Sequence, residues 1–150
     1  MHNLKNQDSK KPCVVAGNGP SLAAIDYARL PKDFDVFRCN QFYLEDKYYL
    51  GREVKLAFAT PWVLFEQLYT LRTLHYKGEY DIGGVVSATY GLRYLDVCHL
   101  ESKDFFKDVI EGHSHLEKLD RFNEFIRYNE IFMHRRITSG VYMCAIATAL

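Results

Sequence analysis

The chain has 150 residues, of which 48% are hydrophobic and 15% aromatic, a composition that supports a packed core and argues against disorder. Its 19 basic and 19 acidic residues cancel, so a zero formal net charge gives no general attraction to nucleic acid. The polar N-terminal tail, residues 1–11, lacks the apolar segment of a signal peptide, and no apolar run reaches the length of a membrane-spanning helix.

In chain order, the first half of the sequence predicts alternating strands and helices. An apolar run predicts a strand from Cys13 to Gly17, and a helix should follow from Pro20 to Arg29, because proline suits a first helical turn. A second strand is expected over Asp35–Asn40. An aromatic, charged segment that indicates a short helix and loop separates it from a third strand over Val54–Ala59. Pro61 should then open a helix to about Tyr76.

The second half continues the same pattern with weaker signals. We expect a fourth strand within 80–88, a short helix within 103–112 and a long helix over 116–136. A last helix should begin at a capping residue, Thr138 or Ser139, and run to Leu150. This order is typical of an α/β fold with a mostly parallel sheet flanked by helices, in one domain over residues 12–150. Because the last helix is apolar to its end, we expect the chain to be the front part of a longer protein.

The stretch VVAGNGPSL contains a glycine pair of the kind that lies against nucleotides. Gly17 and Gly19 fit the first two positions of the dinucleotide fingerprint, but its third position, which requires a small residue, is Leu22. The second strand should also end in an acidic residue that binds a ribose hydroxyl, and here it ends in Asn40 and Gln41. Both tests argue against NAD and FAD, and the phosphate-loop pattern GxxxxGK[ST] is absent.

Polar residues follow each of the first three predicted strands. This strand-end cluster consists of Asn18, Gly19, Asn40, Gln41 and Thr60. The carboxyl ends of parallel strands meet at one edge of a sheet, where ligands bind. Neutral donors at that edge could hold a phosphate or a sugar without metal. The alternative is ordinary turn chemistry, for which asparagine and glycine are common.

The segment RRITSG places Arg136 just before a predicted helix start. The guanidinium, together with the first N–H groups of a helix at Thr138, Ser139 and Gly140, could bind a carboxylate or phosphate. The alternative is a simple N-cap beside a solvated arginine.

Four cysteines show no CxxC spacing: Cys13, Cys39, Cys98 and Cys144. This usage favours reduced thiols that pack as small apolar residues in a cytosolic protein, with redox or zinc roles as alternatives.

Two other groups have a functional and a structural interpretation. Tyr43, Tyr48 and Tyr49 could stack on bases or sugars, but loop packing is the favoured interpretation. His113 and His115 lack acidic or cysteine partners at ligand spacing, so loop polarity is favoured over a metal site.

Several of these segments together resemble one known family. AGNGPSL, IDYARLP, DVFRCNQFYLEDKYYLG, FEQLYTL and RITSGVYMCAIA are similar, in order and spacing, to the bacterial lipooligosaccharide sialyltransferases of glycosyltransferase family 42. The resemblance runs from about Pro12 to Leu150 and is weak between Gly78 and His115.

The resemblance implies a sialyltransferase with a Rossmann-like fold, a variant of the GT-A type. Members transfer sialic acid from CMP-sialic acid to a terminal galactose or sialic acid of lipooligosaccharide, with inversion and without a metal or other cofactor. It also implies a homo-oligomer, a tetramer in the family, in the cytoplasm and peripheral to the inner membrane. A non-catalytic nucleotide or sugar-phosphate binding module is the alternative, and nucleic-acid binding is disfavoured by the scattered basic residues.

The resemblance also implies roles for individual residues. Asn18 and Gly19 would contact the CMP phosphate and ribose, Asn40 the phosphate, and Gln41 the sialic acid. Arg136 and Ser139 would bind the donor sugar, and Gln67 would lie on a sugar-facing helix.

Two departures from the family pattern concern the donor pocket and the base. Thr60 stands where the family can have asparagine, and a hydroxyl replaces one amide hydrogen bond but not two. The histidine that acts as the family's general base and the tyrosine pair that supports the leaving phosphate correspond to positions beyond Leu150. No catalytic residue is therefore assigned, and the 150-residue chain alone is expected to be inactive or nearly so.

Overall fold

The computed structural model describes residues 11–60, 63–87, 109–111 and 119–150. The strands in these ranges are β1 (Cys13–Ala16), β2 (Asp35–Cys39), β3 (Glu53–Val54), β4 (Leu56–Ala59), β5 (Asp81–Ile82), β6 (Val85–Ser87) and β7 (Val109–Glu111). The helices are α1 (Leu64–Tyr76), α2 (Asp120–Arg127) and α3 (Ser139–Ala149). Short 3-10 turns cover Pro20–Ala24, Tyr27–Arg29 and Phe42–Leu44, and a π-helical turn covers Tyr128–Phe132.

Five strands form one parallel sheet in the order β1–β2–β4–β6–β7, and β3 pairs with β5 in a separate parallel ladder. In the main sheet Ala16 is opposite Arg38 and Cys39 is opposite Phe58, so β1, β2 and β4 end side by side. The predicted α/β fold with a mostly parallel sheet flanked by helices is confirmed.

Both faces of the sheet are covered, which explains the nearly continuous apolar sequence of its strands. On one face, Phe37 and Phe58 pack with residues of α2 and α3, including Ile126 and Met143. On the other face, Ala57 and its neighbours in β4 and β6 pack against α1 residues such as Leu68 and Leu71. All four residues of β4 are buried, as expected for a strand between two layers.

The predicted helix from Pro20 to Arg29 is wrong. Two 3-10 turns replace it, because Ile25 and Asp26 adopt extended backbone (ψ 138° and 94°) between them. The Asp26 side chain accepts a hydrogen bond from the Ala28 N–H at 3.1 Å and so starts the second turn. This local side-chain bond competes with a continuous helix.

The predicted third and fourth strands are each divided in two. Val54 belongs to the short β3 ladder, whereas Leu56–Ala59 forms β4 in the main sheet. The 80–88 segment divides in the same way into β5 and β6 around Gly83. A Cβ at Gly83 would lie 2.9 Å from the Lys55 carbonyl oxygen, so glycine permits the two divided segments to run this close together.

Two predictions in the second half also need correction. Within the predicted helix 103–112, residues 109–111 form strand β7, paired with β6, and the rest lies outside the described residues. Of the long helix predicted for 116–136, the described residues 119–136 are helical over Asp120–Arg127 and the π-turn that follows it, which ends before His134 with its left-handed φ of 50°. The last helix and its cap at Thr138 are confirmed.

In the ranges that the structure describes, no helix is long and apolar enough to cross a membrane.

Candidate functional site at the strand ends

The glycine turn after β1 leaves open space beside the Cα atoms of Gly17 and Gly19. A Cβ added at Gly17 would meet nothing within 4 Å, and one at Gly19 would meet the Ser21 Oγ at 3.4 Å. Gly19 has φ −72° and ψ 150°, a conformation open to any residue. Neither the backbone conformation of Gly19 nor the packing of the described residues around Gly17 and Gly19 therefore requires glycine. Close approach of a ligand to the backbone of this turn would require it.

Asn18 connects this turn to the neighbouring strand. Its Nδ2 donates a hydrogen bond of 2.8 Å to the Cys39 carbonyl at the end of β2. The bond fixes the side chain between the two strand ends, so its amide is held at the edge where the parallel strands finish.

Asn40 and Gln41 form a tight turn at the end of β2. The Asn40 N–H donates to the Phe58 carbonyl of β4 at 2.8 Å, and Asn40 has φ 52°, a left-handed conformation that asparagine tolerates better than most residues. Gln41 is exposed, and its carbonyl accepts a hydrogen bond from the Leu44 N–H at 3.1 Å.

Thr60 follows β4 directly, is half-buried, and accepts a hydrogen bond of 3.3 Å at its carbonyl from the Val63 N–H. Since β1, β2 and β4 are adjacent and in register, Asn18, Asn40 and Thr60 lie along one edge. The prediction that the strand-end cluster shares an edge is confirmed, while the role of each residue in binding remains a prediction.

The start of α3 lies close to the edge of the sheet where the strand-end cluster is found. Thr138 caps the helix, with its Oγ1 accepting from the Val141 N–H at 3.4 Å. In the first turn, the Tyr142 ring packs edge-on against Phe58 near the end of β4, with ring centres 6.5 Å apart. The positive end of the helix dipole at Ser139 and Gly140, both half-buried, is therefore close to the carboxyl ends of the strands.

Arg136 precedes this helix and is exposed. Its position beside an N-terminus is the one expected for a guanidinium that assists in binding an anion.

Gln67 is the most unusual polar residue of α1. Its side chain is only 2% exposed, and neither Nε2 nor Oε1 has a hydrogen-bond partner among the described residues. A buried amide without partners is costly, so an unsatisfied one needs an explanation. The predicted sugar-facing role would supply partners for this amide, and it stays a prediction.

A buried ion pair between Arg38 and Glu45 lies near the cluster and was not predicted from the sequence. Arg38 is 3% exposed, lies in β2 between the buried residues Phe37 and Cys39, and donates from Nη2 to the Glu45 Oε1. An arginine inside an apolar strand was a visible signal, because such residues are rarely buried without a partner.

The tyrosines near this pair serve packing. The Tyr48 ring lies 5.2 Å from that of Tyr80, and Tyr49 stacks on Tyr27 at 6.3 Å. Tyr43 packs edge-on against Phe42. The favoured interpretation of this aromatic group as loop packing is confirmed.

The described cysteines are free thiols, with Cys39 buried and Cys144 exposed. Burial, helped by the nearby Asp35 carboxylate and the Cys144 thiol, raises the pKa of Cys13 to about 11. Its thiol is therefore neutral at physiological pH and a poor nucleophile. Cys98, His113 and His115 lie outside the described residues.

Two further observations concern other kinds of site. In the described ranges, no group of three or more His, Cys, Asp or Glu side chains is placed to hold a metal ion.

A groove of about 620 Å³ runs between the start of α2 and the outer side of α3, with Leu119, Phe122 and Cys144 in its walls. The described residues that line it belong to α2, its N-cap Leu119 and α3, and none of them is part of the strand-end cluster.

Comparison with known families identifies the chain. The family model described as CST-I, alpha-2,3-sialyltransferase, matches residues 11–150. The chain belongs to the CST-I family.

Solved structures of sialyltransferases show the same fold. The Campylobacter jejuni sialyltransferase CstII, in complex with the substrate analogue CMP-3FNeuAc, is 48% identical with a TM-score of 0.84 over 93% of this chain. An apo alpha-2,3-sialyltransferase from Campylobacter jejuni is 47% identical with a TM-score of 0.85 over 95% of this chain. A structure of CST-II with a trisaccharide acceptor and CMP is 48% identical with a TM-score of 0.84 over 93% of this chain.

The chain spans 60%, 57% and 58% of those three solved chains, respectively.

Proposed function

We propose that this chain is the donor-binding part of a sialyltransferase that transfers sialic acid from CMP-sialic acid to a terminal galactose or sialic acid of lipooligosaccharide. The observation that carries the proposal is the strand-end cluster, which presents neutral donors from three adjacent strands beside an open glycine turn. The solved relatives with CMP, a CMP-sugar analogue and a trisaccharide acceptor support the donor and acceptor classes.

The chemistry of the cluster suits this donor. When CMP leaves, negative charge develops on its phosphate, and preorganised N–H donors stabilise that charge without reorganising. Backbone N–H groups around Gly19 and the amides of Asn18 and Asn40 can supply such donors without a metal ion. The carboxylate of sialic acid needs a separate clamp, for which Ser139 and Arg136 at the start of α3 are suited.

Transfer also needs a base that takes the proton of the acceptor hydroxyl. We assign no histidine of this chain to that role, and we expect inversion at the anomeric carbon by direct attack of the acceptor. The 150-residue chain should consequently bind the donor but transfer sialic acid poorly or not at all.

Nucleotide titration tests the donor site. CMP, CMP-sialic acid and AMP are added to folded protein, and the fluorescence of Trp62, the single tryptophan of the chain, is recorded beside calorimetry. Saturable binding of CMP, with much weaker binding of AMP, is the expected result. Equal affinity for both nucleotides would contradict a cytidine-specific site, and no binding by either method would overturn the proposal.

A Ser139→Ala variant refines the titration. It removes the proposed carboxylate contact while Thr138 still caps the helix, so CMP-sialic acid should bind several-fold more weakly and CMP about as before. A transfer assay with CMP-sialic acid and a lactose-ended acceptor completes the test. Measurable transfer by the 150-residue chain would contradict the assignment of the base to positions beyond Leu150.

An exposed apolar surface supports the proposed homo-oligomer. It consists of Phe125, Tyr128, Ile131 and Phe132 on α2 and the π-turn, which are 54–71% exposed. Contiguous apolar surface of this kind is typical of protein interfaces. In sedimentation experiments, Phe132→Glu should lower the association state, while Tyr69→Glu on exposed α1 surface should not. Equal behaviour of both variants would contradict this interface.

We also propose a cytoplasmic location peripheral to the inner membrane, which the resemblance supports. Cell fractionation tests it, and release of the protein into the medium would contradict it.

A further inference from the structure

The turn that carries Asn40 and Gln41 has an uncommon backbone. Asn40 is left-handed with φ 52°, and Gln41 has φ −87° and ψ 44°, outside the regular strand and helix regions. Such conformations persist when surrounding contacts determine them. Backbone hydrogen bonds hold the start of the turn, from the Asn40 N–H to Phe58, and the short 3-10 turn after it, from the Leu44 N–H to Gln41. A bond between side chains on the two sides of the turn would restrain it further.

The buried ion pair supplies that restraint. Arg38 lies two residues before Asn40 and Glu45 four residues after Gln41, and the Nη2–Oε1 bond joins them across the turn. The Arg38 guanidinium also lies 5.3 Å from the ring centre of Phe42, which is completely buried. The pair therefore closes the chain into a loop whose tip is Asn40 and Gln41.

Stability by itself does not explain the pair, because burying two charged groups costs desolvation free energy. Arg38 and Glu45 are 3% and 11% exposed at their side chains, and Arg38 Nε and Glu45 Oε2 have no hydrogen-bond partner among the described residues. Apolar residues of similar size at such a position commonly give equal or greater stability, because they carry no desolvation penalty. What they do not supply is a directional bond that selects one conformation of the turn.

We propose that Arg38 and Glu45 are positioning residues of the donor site. They hold the backbone of Asn40 and Gln41 so that both amide side chains face the bound donor, and they do not touch the donor themselves. This inference rests on the proposed function, because the donor is the ligand that the turn would serve.

The decisive variant replaces both charges with apolar residues. Arg38→Met combined with Glu45→Leu should keep the thermal midpoint close to that of the wild type. The Kd for CMP-sialic acid should rise about tenfold or more, because small misplacements of binding groups have large effects. Glu45→Gln keeps an acceptor for Arg38 and should retain most of the affinity. Asp33→Asn, in the exposed pair with Lys11, is the matched control and should change nothing.

Hydrogen–deuterium exchange tests the restraint without a ligand. In the double variant, a peptide covering residues 40–45 should exchange faster, while a peptide from α3 should exchange as in the wild type. If the double variant does not fold, Glu45→Asp, which draws the carboxylate away from Arg38, should produce the same two effects.

The outcomes separate this inference from the proposed function. Faster exchange at 40–45 with weaker donor binding supports the positioning role. Unchanged exchange overturns it, and so does faster exchange with unchanged affinity. If the wild type binds neither CMP nor CMP-sialic acid, the proposed function fails and the donor-site part of the inference fails with it, whereas the exchange result still decides whether the pair restrains the turn.

Discussion

Gly19→Ala separates the needs of the fold from the needs of a ligand. In the free protein the new methyl group would lie 3.4 Å from the Ser21 Oγ, an ordinary contact, and the backbone at φ −72° suits alanine. Replacing glycine by alanine at a compatible position stabilises a protein by about 0.4–1 kcal/mol, because the unfolded chain loses freedom. For a chain of this size that corresponds to a rise of roughly 1–4 °C in the melting temperature.

The same methyl group should harm nucleotide binding. If a phosphate accepts a hydrogen bond from the turn, the group at Gly19 prevents its close approach and removes a charge-assisted bond of about 1.5–3 kcal/mol. The Kd for CMP should then rise about 10- to 100-fold. Calorimetry with CMP and thermal denaturation of the same sample measure both effects.

Gly83→Ala is the matched control with the opposite expectation. Its methyl group would lie 2.9 Å from the Lys55 carbonyl oxygen, so backbone must shift and stability should fall by about 1–3 kcal/mol. Below its melting temperature the variant should bind CMP normally, since Gly83 lies between β5 and β6 and away from the strand ends. If Gly19→Ala lowers stability or leaves CMP affinity unchanged, the turn is glycine-rich for a reason other than a ligand.

Three further predictions concern single side chains. Thr60→Val removes one hydroxyl from the strand-end cluster, so CMP-sialic acid should bind about two- to tenfold more weakly by calorimetry, and unchanged affinity would exclude this contact. Thr138→Ala removes the cap of α3 and should lower the free energy of unfolding by about 1 kcal/mol. The Thr148 hydroxyl forms a hydrogen bond within the same helix, and Thr148→Ala should leave the free energy of unfolding unchanged. Equal losses in the two variants would contradict the cap. Because burial raises the pKa of Cys13 to about 11, above its ordinary value of 9.0, the unfolded chain loses this proton first. The stability that this group contributes is complete below pH 9 and is lost as the pH rises toward 11. The free energy of unfolding of the wild type should therefore fall more steeply between pH 9 and 11 than that of Cys13→Val. An equal pH dependence of the two proteins would refute the assignment.

The first two strands and the last helix could be predicted because their sequences are locally consistent. Apolar runs end at Gly17 and Asn40, one residue beyond the observed strand ends, and Thr138 is a strong capping type. The position of polar residues after these strands followed from the parallel arrangement alone. The strand-end cluster was therefore accessible to sequence reasoning.

Errors arose where distant contacts decide the local structure. The division of the third strand depends on Gly83 approaching the Lys55 carbonyl, and these residues are far apart in the sequence. Strand β7 was predicted as helix because charged residues surround Val109 and Ile110, although β-branched residues favour strands. The Arg38–Glu45 bond requires the turn to bring its partners together, so only the unusual arginine was visible beforehand.

The order of the five-stranded sheet has a consequence for how the chain acquires its structure. Strands join the sheet in the order in which they occur in the chain, and paired residues are roughly 20 to 30 positions apart, a short separation for parallel pairing. During synthesis each emerging strand can dock on the one before it. Helix α3 then packs against β1, β2 and β4, with β1 the most distant of them along the chain. We therefore expect the start of α3 to reach the strand ends late, after the glycine turn and the Asn40 turn have formed.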